Sequence, residues 1–318
     1  IFFFSTSRVH SKSFDIMNIE ISKPFKINFD KNEVIDKGFE KAFYELTSIT
    51  VSSKDKEKIV NIKLSEIKAM IESFSLKEEK FINETYYLKL NVSFNRKNFF
   101  DYLENLNIFP TIPIEEKFLF IPIIIDEKKK DLLIFTNNMF YKQWNNSKES
   151  FHLIEYILPT EDLEDLNLIK KNFTNIEEYD FLEITDKYYL NNYIVALIFK
   201  NESDVRVLSK IKIKDKLNLK NRLFSNINFN DEIHIKKIID GLKINYEDYW
   251  KYSNQINTSI KLPLTIKINS SDNDKISKFE ASLREIDLIS DFYIIKFDKD
   301  SFFYQVIFNG APSIFLKI

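Results

Sequence analysis

Apolar residues alternate through Phe14, Ile16, Ile19, Ile21, Phe25, Ile27 and Phe29, close to the period-2 pattern of one or two half-buried strands. The spacing then changes. Ile35, Phe39, Ala42, Phe43 and Leu46 recur every three to four residues, one face of a helix whose start is marked by Asp30 with Glu33 three residues on. After a charged break at residues 54–57, a second helical stretch carries Ile67, Met70 and Ile71. Residues 73–82 and 85–94 read as a hairpin turning at Asn83-Glu84, and Leu88, Leu90, Val92 and Phe94 alternate so that one face is wet. A third helix holds Phe99, Phe100, Leu103 and Leu106. Strand, two helices, two strands, helix: this order predicts an N-terminal α+β sandwich over residues 12–110.

Pro110 and Pro113 punctuate the chain, and residues 111–230 read differently. Residues 118–125 form a continuous apolar run, suited to a strand buried on both faces. A short strand at 132–135, a short helix at 139–144, a strand at 151–158, helical stretches at 162–173 and 176–190, and paired strands at 193–199 and 205–213 follow. Strands alternating with helices predict a central α/β domain. Residues 217–229 are strand or irregular. Residues 231–258 supply a long helix, with Ile235, Ile238, Ile239, Leu242, Tyr246 and Tyr249 as its stripe, and a polar linker from Ser253 to Ser259. Residues 259–318 repeat strand-helix-strand-strand, which predicts a C-terminal ferredoxin-like β-α-β-β module. At under 60 residues this module is expected to lean on the long helix through Tyr246, Tyr249 and Trp250. The residues themselves show no convincing internal repeat.

Composition narrows the chemistry. The chain has 318 residues but only three glycines, three histidines and no cysteine, where average usage would give about 22 glycines. The abundance of Lys, Asn, Ile and Phe is the signature of an AT-rich genome and accounts for that scarcity. Gly38, Gly241 and Gly310 stand alone, so no glycine-rich loop cradles a phosphate and no G-x-S-x-G elbow exposes a serine. No cofactor and no metal centre is indicated. Lys+Arg 46 against Asp+Glu 48 leaves a net charge of -2, without the basic excess of a nucleic-acid binder. Ile1-Phe2-Phe3-Phe4 followed by small and polar residues reads as the remnant of a signal peptide over residues 1–11, ending before Lys12. The competing reading is a buried N-terminal strand. A remnant predicts an exported, periplasmic protein with no membrane span in the mature chain, because the strongly apolar run at 118–125 is only strand length.

The densest carboxylate cluster is Pro159-Thr160-Glu161-Asp162-Leu163-Glu164-Asp165. Asp162 and Asp165, three apart, would share a helix face and are the candidate residues for a carboxylate- or metal-dependent hydrolase. The simpler reading makes Thr160 or Asp162 a helix cap and the acids partners of its dipole. His152 and His234 have no partner at a recognisable catalytic spacing. Trp144 and Trp250 read as core residues.

Four segments carry a family resemblance. They are the helix Gly38-Phe39-Glu40-Lys41-Ala42-Phe43-Tyr44-Glu45-Leu46-Thr47, the strand from Tyr87 to Phe94, the stretch from Ile157 to Asp165, and Lys187 to Ile198. Over about residues 33–213 the chain resembles the bacterial exported family known as domain of unknown function 2066. It departs at Asn192, where that family tends to have Asp, and at Ala196, where it tends to have Gly. The strand Phe118-Leu119-Phe120-Ile121-Pro122 and the elements after it are similar, more loosely, to periplasmic envelope-assembly α/β domains, such as the N-terminal domain of the Tol–Pal translocation protein and curli-secretion-type lipoproteins. The resemblance implies topology and compartment but no catalytic residues. Sequence alone therefore favours a non-enzymatic interaction or assembly factor with an envelope protein partner, the hydrolase centred on Asp162 and Asp165 being the alternative.

Overall fold

The computed structural model describes residues 14–146, 152–201, 203–269, 272–286, 288–298, 301–310 and 315. The leader-like residues 1–11 lie outside them. The chain mixes helices and sheets, as the apolar pattern predicts. It divides into two compact units: the described residues up to Pro113 together with those from Asn254 on, and Ile114–Ser253.

In the first unit, β1 (Asp15–Pro24), β2 (Ile71–Ile82) and β3 (Thr85–Phe94) form a sheet in the order β1-β3-β2, antiparallel throughout. Asn83 and Glu84 join β2 to β3 with φ of 49° and 56°, the paired left-handed geometry that matches strand twist in a two-residue hairpin. Helices α1 (Lys31–Thr50), α2 (Leu64–Met70) and α3 (Arg96–Asn105) supply Phe39, Phe43, Ile67 and Phe99 to a core shared with Leu88, Leu90 and Val92. Asp30 caps α1 by accepting the Asn32 N–H at 2.8 Å. Glu33 does not complete a capping box; its carboxylate takes the Lys23 ammonium instead. Gly38 lets α1 approach β3 closely, since a Cβ there would stand 2.6 Å from Leu90 Cδ2 and the Leu90 side chain would have to shift.

The same strand order recurs at the end of the chain. In it β10 (Leu262–Ile268), α8 (Asn273–Glu285), β11 (Ile289–Phe297) and β12 (Phe302–Phe308) form an antiparallel sheet ordered β10-β12-β11. Tyr304, Val306 and Leu283 lie in its core. The chain thus traces one split β-α-β path twice in this unit, a repeat of topology that leaves no trace in the residues. The Arg96 guanidinium ties the two parts together, donating to the carbonyls of Ile286 and, at 2.7 Å, Arg284.

The expected linker is partly fixed structure. Ile256 donates its N–H to the Pro110 carbonyl at 2.9 Å, Gln255 bridges to Thr111, and Thr258 is buried. In α7 (Glu232–Ser253), Tyr246 and Trp250 are consumed by the core of their own unit: Tyr246 lies against Phe120 and Trp144, and Trp250 is edge-on to Phe118.

That second unit is built on β4 (Glu116–Asp126), β5 (Asp131–Leu133), β6 (Ile154–Ile157), β7 (Tyr193–Asn201), β8 (Asp204–Ile213) and β9 (Lys216–Phe224). The main path is β5-β4-β7-β8-β9, with β6 also on β4. The sheet is mixed: β4 runs parallel to β6 and β7 and antiparallel to β5. β4 is buried on both faces, as its unbroken apolar run requires. Leu119, Ile121 and Ile123 face a core completed by Ile169, Phe181 and Ile184, beside α4 (Met139–Gln143), α5 (Leu163–Lys171) and α6 (Leu182–Thr185). Residues 176–190, expected as one helix, are broken: Phe181 and Tyr189 take φ of 63° and 53°, leaving only α6 and a 3-10 turn at Asp186–Tyr188.

Candidate functional site

The acidic stretch after Pro159 folds as the start of α5. Asp162 is the N-cap, its Oδ1 accepting the Glu164 N–H at 2.8 Å. That bond, then the Lys187 ammonium, holds the Asp162 carboxyl below its ordinary value. Lys187 reaches in from the 3-10 turn and gathers the cluster: its Nζ lies 2.7 Å from Asp165 Oδ1 and 3.3 Å from both Asp162 Oδ2 and Glu164 Oε2. Those carboxylates, Asp165 foremost, raise the Lys187 pKa and keep it protonated.

Asp165 is the buried member of the cluster, 1% exposed. Its Oδ2 has no hydrogen-bond partner and lines a cavity of about 10 Å³ with Ile121, Pro122, Phe135, Tyr141 and Ile169. A volume of that size holds at most one water. The structure therefore brings Asp162 and Asp165 together, but around a lysine and beside a hole too small for a substrate. Lys187 pairs with one oxygen of each of the two acids, and it is no nucleophile while protonated. Among the described residues no three His, Cys, Asp or Glu side chains are placed to hold a metal ion.

Lys187→Met is expected to lower the melting temperature more than Asp162→Asn does, because it strands the buried Asp165 carboxylate, whereas Asp162→Asn only neutralises an exposed one. Adding Asp165→Leu to Lys187→Met should recover most of the loss. Thermal melts followed by circular dichroism check the order, and a Lys187→Met protein melting like the wild type would show the cluster to be idle.

The two described histidines each have a polar neighbour. His152 Nδ1 stands 3.5 Å from Glu247 Oε1, and His234 Nδ1 accepts the Asn228 N–H at 2.9 Å. Trp144 stacks on Phe120 with ring centroids 3.7 Å apart. A residue that carried no signal in the sequence does more: Glu247, buried on α7, accepts the N–H groups of Leu153 at 3.2 Å and Ile154 at 2.9 Å and so seats β6.

The other notable surface lies on the sheet edges. β2, β9 and β11 each end a sheet. Each exposes large apolar side chains: Phe74, Phe81 and Ile82 on β2, Leu217, Leu219 and Leu223 on β9, and Tyr293, Ile295 and Phe297 on β11. A free strand edge offers a row of unpaired N–H and C=O groups, and apolar side chains beside it favour pairing with another chain.

The chain matches no family model and no curated protein. The buried Asn192 accepts the Lys214 N–H at 2.8 Å through its Oδ1, a bond an aspartate would also make. Ala196 sits fully buried in β7 between β4 and β8, where extended backbone does not call for glycine. Among the described residues no helix is long and apolar enough to cross a membrane.

Proposed function

We propose that this chain is a non-catalytic protein-interaction factor of the cell envelope that engages its partners through strand edges. The observation that carries the reading is the exposure of apolar side chains along edge strands β2, β9 and β11. Edge pairing needs no glycine loop, metal or activated nucleophile, in keeping with a chain that has three glycines and no cysteine. The envelope setting rests on the leader-like residues 1–11 and on the resemblance to an exported family.

The test is crosslinking capture from cells with the wild type and with a variant carrying Ile82→Lys, Leu219→Lys and Ile295→Lys, one charge on each edge. All three positions are exposed, so the variant should melt like the wild type. Proteins captured by the wild type and lost from the variant are the expected result; an identical set from both would sink the reading.

A further inference from the structure

The three edges are not equivalent. β2 is interrupted by bulges between Ile71 and Ser73 and between Leu76 and Glu78, and β11 by bulges between Ile289 and Asp291 and between Ile294 and Lys296. Bulges twist an edge away from a would-be partner. β9 has none: its nine residues pair with β8 in unbroken register from Ile213↔Lys216 to Val205↔Phe224.

The turn fixes which backbone groups of β9 are free. Lys214 and Asp215 form a two-residue loop, with Lys214 at φ 54°. The pair closing such a loop exchanges both hydrogen bonds, and bonded pairs then alternate along the ladder. Lys216, Asn218, Lys220 and Arg222 therefore bond to β8, while Leu217, Leu219, Asn221 and Leu223 turn their N–H and C=O groups to the open edge.

The two faces of that edge differ in chemistry. Leu217, Leu219 and Leu223 line one face at 54%, 57% and 63% exposure. Lys216, Lys220 and Arg222 line the other. Arg222 donates to the Gly241 carbonyl at 2.6 Å, and the Lys220 ammonium lies 5.2 Å from the Tyr249 ring centre. Among the described residues none of these three cations has a carboxylate partner. The strand itself holds no acid and no proline. An antiparallel second copy of β9 would bring its cation row onto the same face as this one, so like-charge repulsion opposes that self-pairing.

We infer that the open edge of β9 is a docking site for an extended peptide segment in which acidic and apolar side chains alternate. The backbone of that segment continues the sheet, its acids lie over Lys216, Lys220 and Arg222, and its apolar side chains cover the leucine row. This inference rests on the interaction reading above and names the partner chemistry for one edge of it.

The probe is a fluorescein-labelled nine-residue peptide of alternating glutamate and valine, titrated with the full chain and read by fluorescence anisotropy. Saturable binding that weakens as salt rises is expected, with at least a tenfold weaker response from the lysine–valine counterpart. N-methylation of alternate amides on the edge-facing side should abolish binding. In the protein, Asn221→Pro should do the same while leaving the β8–β9 ladder intact, since the N–H it removes faces outward. If Asn221→Pro fails to fold, the N-methylated peptide decides alone. Equal binding of both peptides, undiminished binding after N-methylation, or no binding to the folded wild type overturns the assignment. So does a concentration-dependent dimer abolished by Leu219→Lys, which would make a second copy the occupant. Failure of the peptide while edge-dependent capture persists removes the β9 assignment alone; failure of both removes the interaction reading.

Discussion

Glu247→Ala is expected to destabilise the Ile114–Ser253 unit by about 3–5 kcal/mol, the largest effect of any single polar substitution considered for that unit. The carboxylate is buried and accepts two backbone N–H groups, from Leu153 at 3.2 Å and Ile154 at 2.9 Å. Hydrogen bonds to a charged group contribute about 1.5–3 kcal/mol each, and a buried amide left without its acceptor pays its full desolvation cost. The strand it seats is only four residues long, pairing with Glu116–Leu119, and Glu116 in turn donates its N–H to the Leu153 carbonyl at 2.8 Å. Few other bonds can take up the loss. Glu247→Gln keeps one acceptor oxygen and should lose about half as much. Urea unfolding monitored by tryptophan fluorescence checks this, since Trp144 and Trp250 both lie in this unit. A midpoint for Glu247→Ala within about 1 kcal/mol of wild type would mean that water replaces the carboxylate at no cost.

What the sequence revealed and what it hid follow one physical rule: local pattern is legible, distant pairing is not. The hairpin at Asn83-Glu84 is written in flanking alternation, and both residues take positive φ as such a turn demands. The double burial of β4 follows from its unbroken apolar run. Asp162 was visible as a cap because the cap bond spans two residues. Lys187 was not visible as the hub of the acidic cluster, because it lies 22 to 25 residues from its partners and arrives only through the break at Phe181. An aromatic residue at positive φ carries no turn signal, so that stretch read as continuous helix. Glu247 was missed for a related reason. Lys243, Glu247 and Lys251 look like the wet face of α7, yet all three are buried. The edge character of β9 depends on the strand order of the whole sheet, and its Leu–Asn–Leu alternation was compatible with an irregular segment.

Glu45 gives the protein a stability that falls as pH rises, and Glu45→Gln is expected to remove that dependence. Glu45 lies on α1 at 6% exposure, and burial, only partly opposed by Lys41, pushes its carboxyl from 4.5 up to about 7. An acid whose pKa is raised in the folded state holds its proton longer there than in the unfolded chain. Below pH 4.5 both states are protonated, and the group has no effect on folding. Between 4.5 and about 7 the unfolded chain has released the proton while the folded one retains it, so unfolding is increasingly favoured as pH rises. Above about 7 the loss is complete. The full displacement corresponds to about 3 kcal/mol. Screening by solvent at the helix flank reduces the expected effect to about 1–2 kcal/mol. Glu45→Gln should therefore match the wild type at pH 4 and exceed it by about 1–2 kcal/mol at pH 8, with the gap opening between those values. Urea unfolding of both proteins at pH 4, 6 and 8 measures the gap directly. A difference that stays flat, or that favours the wild type at pH 8, would show that the folded chain holds Glu45 ionised and stabilised rather than neutral and buried.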